Sequence, residues 1–135
     1  MILIDTNIIM YAAGAPHPNK QPSANLLERV ARGDVDATIN AETLQEILHR
    51  YRSIGRWVQG SQVYDLARQI FPAVIPVSSA MFDRARKLLD SYPHLMARDA
   101  LHVAVVLHEE LEAICSFDKD FGKVRVIQRV TPNDV

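Results

Sequence analysis

The chain opens on the run Ile2-Leu3-Ile4-Asp5, and a comparable run, Ile114-Cys115-Ser116-Phe117-Asp118, lies near its end. Short apolar runs that contain β-branched residues are typical of strands buried on both faces. Each of these two predicted strands leads into an aspartate. In parallel α/β sheets the functional crevice lies beyond the carboxyl ends of the strands. Both aspartates are therefore predicted to face one crevice.

Helices alternate with further short strand candidates between these two runs. The patterns predict, in chain order, a loop over 14–22, a helix over 23–32, a strand over 36–39, a helix capped by Asn40, a break around 55–60, a helix over 61–70, a strand over 74–77, a helix beginning at Ser79, a buried helix over 99–108 and a strand over 124–127. This alternation predicts an α/β fold with a mostly parallel central sheet flanked by helices. A length of 135 residues fits one domain over 1–135.

The composition is that of an ordinary globular protein, with 48% hydrophobic residues, 23% charged residues and a formal net charge of −1. This charge balance does not by itself indicate a nucleic-acid partner. The single cysteine, Cys115, excludes an intramolecular disulfide and is predicted to be a small buried hydrophobe. Neither a signal-peptide pattern nor an apolar run of the roughly 18 residues that span a bilayer is present. We therefore expect a cytoplasmic protein with no membrane association.

Two further acids, Asp99 and Glu46, are candidates for the same crevice. Asp99 lies at the start of the predicted buried helix, where it either caps backbone N–H groups or points into the crevice. Glu46 lies on the helix that follows Asn40, on the side opposite the apolar face. A glutamate in that position is usually solvated or pairs with Arg50 four residues on. Periodicity alone does not favour it over Glu42.

A cluster of carboxylates without histidine or cysteine ligands has a specific chemical use. Mg²⁺ and Mn²⁺ prefer oxygen ligands. In phosphodiester hydrolysis such ions generate a nucleophile from water and stabilise the leaving oxyanion. Without a cation, clustered carboxylates repel one another, and the pKa values of some of them rise. If the four acids meet, the sequence predicts a divalent-metal site.

Four blocks of the sequence resemble the PIN-domain ribonucleases, and more narrowly the VapC-type toxins of toxin–antitoxin pairs. The blocks are Leu3-Ile4-Asp5-Thr6-Asn7, residues 39–48 with Glu46, Ala97-Arg98-Asp99-Ala100-Leu101-His102, and Ser116-Phe117-Asp118-Lys119-Asp120-Phe121. Each block is a weak signal alone, but all four occur in order and span essentially the whole chain. No acid of the set is missing, which argues against a non-catalytic member.

The resemblance implies a PIN-like (Rossmann-like) fold and a Mg²⁺- or Mn²⁺-dependent endoribonuclease that cuts structured RNA, such as transfer or ribosomal RNA. It also implies the role of each acid. Asp5, Glu46 and Asp99 would be metal ligands and catalytic residues. Asp118 would complete the cluster, either directly or through water.

Three neighbouring residues are implied to support the acids. Thr6 and Ser116 would position water or a ligand through their hydroxyl groups, and Asn7 would fix the loop that carries the first aspartate. Asp120 is placed outside the ligand set. His102 is given no part in the reaction, because hydrolysis by a metal-bound water does not require an imidazole.

The resemblance also implies two protein partners besides RNA, a second copy in a homodimer and a cognate VapB-like antitoxin whose tail blocks or distorts the acid pocket. A basic cluster with an aromatic residue is the candidate contact surface: Arg50, Arg52, Arg56 and Trp57. It could bind RNA through phosphate contacts and base stacking, or receive the tail of the antitoxin. The third interpretation is a solvated helix end.

Two other functions remain open from the residues. The first is a non-catalytic PIN-like module that binds RNA or protein, which the intact acid set disfavours and an absence of metal binding would favour. The second is an α/β phosphatase with Asp5 as nucleophile. Haloacid-dehalogenase-like phosphatases have a second aspartate two residues later, where this chain has Asn7.

Overall fold

The computed structural model describes residues 1–135. Its elements are β1 (Ile2–Ile4), α1 (Thr6–Ala13), α2 (Lys20–Ala31), β2 (Ala37–Thr38), α3 (Ala41–Ser53), α4 (Trp57–Ile70), α5 (Ser79–Ser91), α6 (Ala97–His108), β3 (Ile114–Cys115) and β4 (Arg129–Val130). Two 3₁₀ helices, Lys119–Lys123 and Pro132–Asp134, lie on either side of β4. No helix combines the length and the apolar character that crossing a membrane requires.

The four strands form one parallel sheet in the order β2-β1-β3-β4, which confirms the predicted fold class. At its centre Leu3 lies opposite Ile114, and Ile4 lies opposite Cys115. The chain passes from β1 to β2 on one side and continues to β3 and β4 on the other. Between β1 and β3 the strand order therefore reverses, and a crevice opens beyond their carboxyl ends.

Helices cover both faces of the sheet. Because side chains alternate along a strand, Ile2 and Ile4 pack with α1 to α4 on one face, and Leu3 packs with α5 and α6 on the other. Helix α6 is central, as predicted, with every residue from Ala100 to Val106 buried. Burial raises the pKa of the Cys115 thiol to about 12, which fits its predicted packing role.

The segment before the predicted helix over 23–32 is more helical than expected. Helix α1 occupies residues for which no element is predicted, and α2 begins at Lys20, inside the predicted loop over 14–22. Pro22 is tolerated there because backbone N–H groups in the first turn of a helix have no intrahelical partner to lose.

The predicted break over 55–60 is also shorter, because α4 begins at Trp57 and contains Gly60. A Cβ atom at Gly60 would lie 2.4 Å from Cβ of Tyr51. This glycine therefore permits α3 and α4 to approach closely and does not end a helix.

Two of the predicted strands are not regular strands. Over 74–77 only Ile75 pairs, in an isolated bridge with Asn40, and Pro76 has no N–H to extend the ladder. The prediction over 124–127 is wrong, because that segment follows a 3₁₀ helix and the last strand is β4. Its apolar pattern reflects local packing, with Val124 buried and Val126 exposed.

Candidate active site

Asp5 follows β1 and is the N-cap residue of α1. An N-cap aspartate usually accepts a hydrogen bond from a backbone N–H of the first helical turn, but this side chain forms no capping bond. Its Oδ2 instead accepts a hydrogen bond from Oγ of Ser116 at 2.5 Å, and the residue is buried. The carboxylate is therefore directed toward the crevice.

Ser116 connects three parts of the site. Its hydroxyl donates to Asp5 and accepts hydrogen bonds from Nδ2 of Asn7 at 3.1 Å and from the backbone N–H of Asp118 at 2.9 Å. Ser116 follows β3 and is completely buried. One hydroxyl thus ties the residues that follow β1 to the loop that follows β3.

Glu46 is connected to α6 through His102. Oδ1 of Asn40 accepts a hydrogen bond from the N–H of Thr43, so the amide nitrogen of Asn40 faces Nδ1 of His102, 2.9 Å away. Nδ1 must then accept, and the proton of the neutral ring is on Nε2. Nε2 donates to Oε1 of Glu46 at 2.8 Å and lies 4.0 Å from Oδ1 of Asp5.

The position of Glu46 corrects the expectation from helical periodicity. Its side chain is only 13% exposed, and its partner is His102, not Arg50. Burial is the largest single influence and opposes the charge of this carboxylate, but the hydrogen bond and the electrostatic interaction with His102, with a smaller contribution from Arg98, together lower the pKa of Glu46. A helical wheel cannot predict this, because the polar face of α3 is covered by a buried polar residue of a distant helix.

Asp99 lies within the first turn of α6, because that helix begins earlier than predicted, with Met96 as its N-cap residue. Of the two predicted roles, cap or crevice, the structure supports the crevice, since the side chain lines it. The pKa of Asp99 is raised, first by burial and then by the charges of Asp118 and Asp5. The acids are therefore close enough to repel one another.

All four acids line a single open cavity of about 580 Å³. Its wall also contains residues that the sequence did not single out, among them Arg98, Tyr11 and His17. The position of Arg98 directly before Asp99 is the one signal that could have identified it. Tyr11 and His17 enter the cavity from α1 and the following loop, which carry no recognisable ligand pattern.

Comparison with protein families gives a match between the PIN domain and residues 2–127. The chain belongs to the PIN-domain family. This PIN domain is 39% identical over 130 residues to ribonuclease VapC13 of Mycobacterium tuberculosis. The aligned region covers 96% of this chain and 99% of that protein. Within the family it is therefore of the VapC type.

Solved structures support the same fold. A chain of a toxin–antitoxin complex from Klebsiella pneumoniae matches with a TM-score of 0.69 at 19% identity, over 98% of both chains. Mycobacterium tuberculosis VapC20, a sarcin–ricin-loop-cleaving toxin, matches with a TM-score of 0.70 at 16% identity, over 93% of this chain and 95% of that chain. At these identities the matches concern the fold alone.

The donor chemistry of the cavity in this PIN domain fits a hard divalent cation. Burial raises the pKa of Asp5, and the charge of Glu46 adds to the effect. The hydroxyl of Thr6 and the side-chain oxygen of Asn7 are buried without a hydrogen-bond partner. As the side chains stand, no three histidine, cysteine, aspartate or glutamate residues are arranged to hold one ion. An ion in this cavity would therefore be held through retained waters as well as carboxylates, or the carboxylates would shift toward it.

The predicted basic cluster of the PIN domain is divided between two places. Arg50 lines the acid cavity. The guanidinium of Arg52 instead lies over the ring of Trp57, 4.7 Å from the ring centroid. Trp57 is 40% exposed, and its neighbours Ile54 and Val58 are 45% and 74% exposed. The second place is thus an apolar surface patch with basic residues.

Two other acids near these blocks, Asp120 and Glu42, lie outside the cavity. The carboxylate of Asp120 pairs with Nζ of Lys123 at 3.1 Å. Glu42 does not line the cavity, although burial and the charge of Glu46 raise its pKa.

Proposed function

We propose that this protein is a Mg²⁺- or Mn²⁺-dependent endoribonuclease that cuts structured RNA, such as transfer or ribosomal RNA. The observation that carries the proposal is that Asp5, Glu46, Asp99 and Asp118, from separate elements of the chain, line one cavity. VapC13 is named a ribonuclease, and VapC20 is described as a toxin that cleaves the sarcin–ricin loop. These descriptions support RNA as the substrate class.

The acids would hold the ion, with Asp5, Glu46 and Asp99 as ligands and Asp118 as a ligand directly or through water. A bound ion would supply Lewis acidity, which would activate water and offset the charge that develops on the phosphate. The chain itself would hold the acids in place. Ser116 fixes Asp5 by its hydrogen bond.

The other supporting residues lie around Asp5 and Glu46. Asn7 donates to Ser116 and so stabilises the residues around Asp5. The unpartnered hydroxyl of Thr6 is available to a water or a ligand inside the site. His102 holds Glu46 in one orientation through its Nε2–H.

The RNA backbone would be bound by the two arginines of the cavity wall, Arg50 and Arg98. A guanidinium presents several N–H donors in a planar fork that matches phosphate oxygens. These two charges also offset the repulsion between the carboxylates and an approaching phosphate.

An antitoxin would bind the patch formed by Arg52, Arg56 and Trp57, which lies apart from the acids. Aromatic residues and arginine are enriched in protein interfaces, and the exposed Ile54 and Val58 favour a protein over RNA. The guanidinium of Arg52 already occupies a face of the Trp57 ring, which leaves less of it for base stacking. The Klebsiella pneumoniae structure is a toxin–antitoxin complex, which supports a partner of this class.

The antitoxin surface can be tested with the product of any short reading frame that directly precedes the gene. Trp57→Ala is expected to weaken the complex by at least tenfold, the loss of a hot-spot residue, in isothermal titration calorimetry. Phe82→Ala is the control, because Phe82 is also a large exposed side chain but lies on α5. Equal affinities of both variants would show that the antitoxin binds another surface. Light scattering on the protein without antitoxin tests whether it forms the homodimer that the resemblance implies.

The nuclease proposal is tested by incubating total cellular RNA with the purified protein in Mn²⁺, in Mg²⁺ and in EDTA. Discrete products are expected only with a metal, and they should disappear in Asp5→Asn and Asp99→Asn. Asp65→Asn is a matched control, because Asp65 is exposed on α4 and does not line the cavity. If no metal-dependent cleavage occurs, or if all variants cleave alike, a binding module without catalysis becomes the better interpretation.

A further inference from the structure

Three ring side chains meet beside the acid cavity. The rings of Tyr11 and His17 lie 4.7 Å apart between centroids at an interplanar angle of 36°, and the ring of Phe117 packs edge-on against Tyr11 at 5.4 Å. Tyr11 and His17 both line the cavity that contains the four acids. The cavity therefore has an aromatic wall, formed by Tyr11 and His17 and supported by Phe117.

Hydrogen bonds hold His17 and its loop in place, although this residue is exposed. Nδ1 of His17 accepts a hydrogen bond from the backbone N–H of Asn19 at 3.0 Å, and its carbonyl accepts one from the N–H of Lys20 at 3.0 Å. The ammonium group of Lys20 also donates to the carbonyl of Gly14, across the base of the loop. With Nδ1 accepting, the neutral ring of His17 carries its proton on Nε2.

Two residues of the aromatic wall lie close in the chain to acids of the cavity. Tyr11 lies on α1, five residues after Thr6, which corresponds to roughly 8 Å along the helix axis from the end where Asp5 is located. Phe117 directly precedes Asp118 in the chain. Because the wall and the acids line the same cavity, a nucleic acid with a phosphate at the acids can place an adjacent base at the wall.

We propose that the aromatic wall is a nucleobase subsite, in which a base of single-stranded RNA next to the phosphate at the acids stacks on His17 and Tyr11. The subsite rests on the proposed function, since it assigns the placement of the same substrate. It implies that the cut segment is unpaired or flipped out, because a base inside a duplex has no free face to stack.

The chemistry of the cavity favours a base over the other parts of RNA. Its acids and arginines are suited to a metal and to phosphates, whereas the faces of the two rings present no hydrogen-bond donor to a phosphate. Stacking on an aromatic side chain is available to every base, because each has a π-face. A volume of about 580 Å³ lies within the usual range of ligand sites.

The test uses two short RNAs of equal length and charge, a uridine hexamer that contains one 2-aminopurine and an abasic hexamer. They are titrated against the full chain carrying Asp99→Asn in Mg²⁺, so that binding is measured without cleavage. Into this protein His17→Ala and Tyr11→Leu are introduced separately. His108→Ala is the matched control, because His108 is an exposed histidine at the end of α6 and does not line the cavity.

We expect 2-aminopurine fluorescence to be quenched on binding and the base-bearing hexamer to bind on the order of tenfold more tightly than the abasic one. His17→Ala and Tyr11→Leu should remove most of this preference and the quenching, whereas His108→Ala should change neither. The proposal is overturned if the protein binds neither RNA, or if the preference for bases is the same in all variants.

The binding experiment and the nuclease assay can fail independently of each other. Metal-dependent cleavage without a base preference that depends on His17 would overturn the subsite and leave the nuclease intact. A base preference that depends on His17, in a protein that does not cleave RNA, would support the subsite and contradict the nuclease proposal.

Discussion

His102 donates a hydrogen bond from Nε2 to Oε1 of Glu46 at 2.8 Å, across the space between α6 and α3. The histidine is completely buried, and its other ring nitrogen accepts from Asn40. Burying a polar group is costly unless it is hydrogen-bonded, so each of these three residues depends on the others. Together they fix the orientation of a carboxylate that the proposed mechanism requires at one place.

Removal of the His102 imidazole should affect both stability and activity. In His102→Leu the carboxylate of Glu46 loses its donor while it stays largely buried, so the free energy of unfolding should fall by about 1–3 kcal/mol, and the pKa of Glu46 should rise. His102→Gln keeps an N–H donor and should retain more of both properties. Urea unfolding at pH 7 and RNA cleavage rates measure the effects. Equal losses in the two variants would contradict a hydrogen-bonding role.

Substitutions at Asn40 can separate its effect on the orientation of His102 from its role as the N-cap residue of α3. Asn40→Ala removes the cap of α3, at a cost of about 1 kcal/mol, together with the donor to His102. Asn40→Ser supplies another good N-cap residue but no amide donor, so it should recover stability and not cleavage. Nitrogen NMR shifts of His102 report whether the proton stays on Nε2. A Ser variant with wild-type activity would show that Asn40 serves the helix alone.

The central part of the fold could be predicted because its signals are local. The apolar run from Ile2 to Ile4 is a strand in any plausible packing, and Asn40 carries the side-chain oxygen that an N-cap position needs. Helix α1 was not predictable in the same way. Its Ile8 and Ile9 fit a buried strand as well as a helix, and its N-cap residue forms no capping bond.

The candidate site was less accessible to prediction, since its geometry depends on contacts between distant residues. Glu46 and His102 are 56 residues apart in the chain, and no periodicity within α3 indicates that its polar face meets a buried imidazole. The resemblance to a family selected Glu46, whereas the pattern of α3 alone pointed to solvent. The ring contact between Tyr11 and His17 likewise forms only when the loop after α1 folds back.

Ser116 should be sensitive to the loss of a single hydroxyl group. Ser116→Ala leaves Asn7 and the N–H of Asp118 without an acceptor and Asp5 without a donor, so we expect a loss of about 1–3 kcal/mol in unfolding free energy. Metal affinity should fall too, because Asp5 is no longer held in place. Ser53→Ala is the control, as Ser53 is exposed and bonds only the carbonyl of His49. Calorimetry with Mn²⁺ and urea unfolding test both effects, and matched results for the two variants would exclude the role.

The charge of Asp5 should make the metal-free protein less stable as pH rises. Its folded-state pKa is raised by burial above the ordinary value of 3.8. The contribution of this residue to stability is therefore complete below about pH 4 and is lost as pH rises through the folded-state pKa. In EDTA at pH 7, Asp5→Asn should be more stable than wild type, by an amount on the order of 1 kcal/mol, and the difference should vanish in acid.

Addition of Mn²⁺ should reverse that order. An ion that binds only the folded state stabilises it by about 2.7 kcal/mol at a concentration of 100 times Kd. Wild type would gain this full amount, while Asp5→Asn, which lacks one ligand, would gain less. Thermal unfolding of both proteins in EDTA and in a series of Mn²⁺ concentrations makes the comparison. If Mn²⁺ raised the Tm of both proteins equally, the ion would bind elsewhere, and Asp5 would not be a ligand.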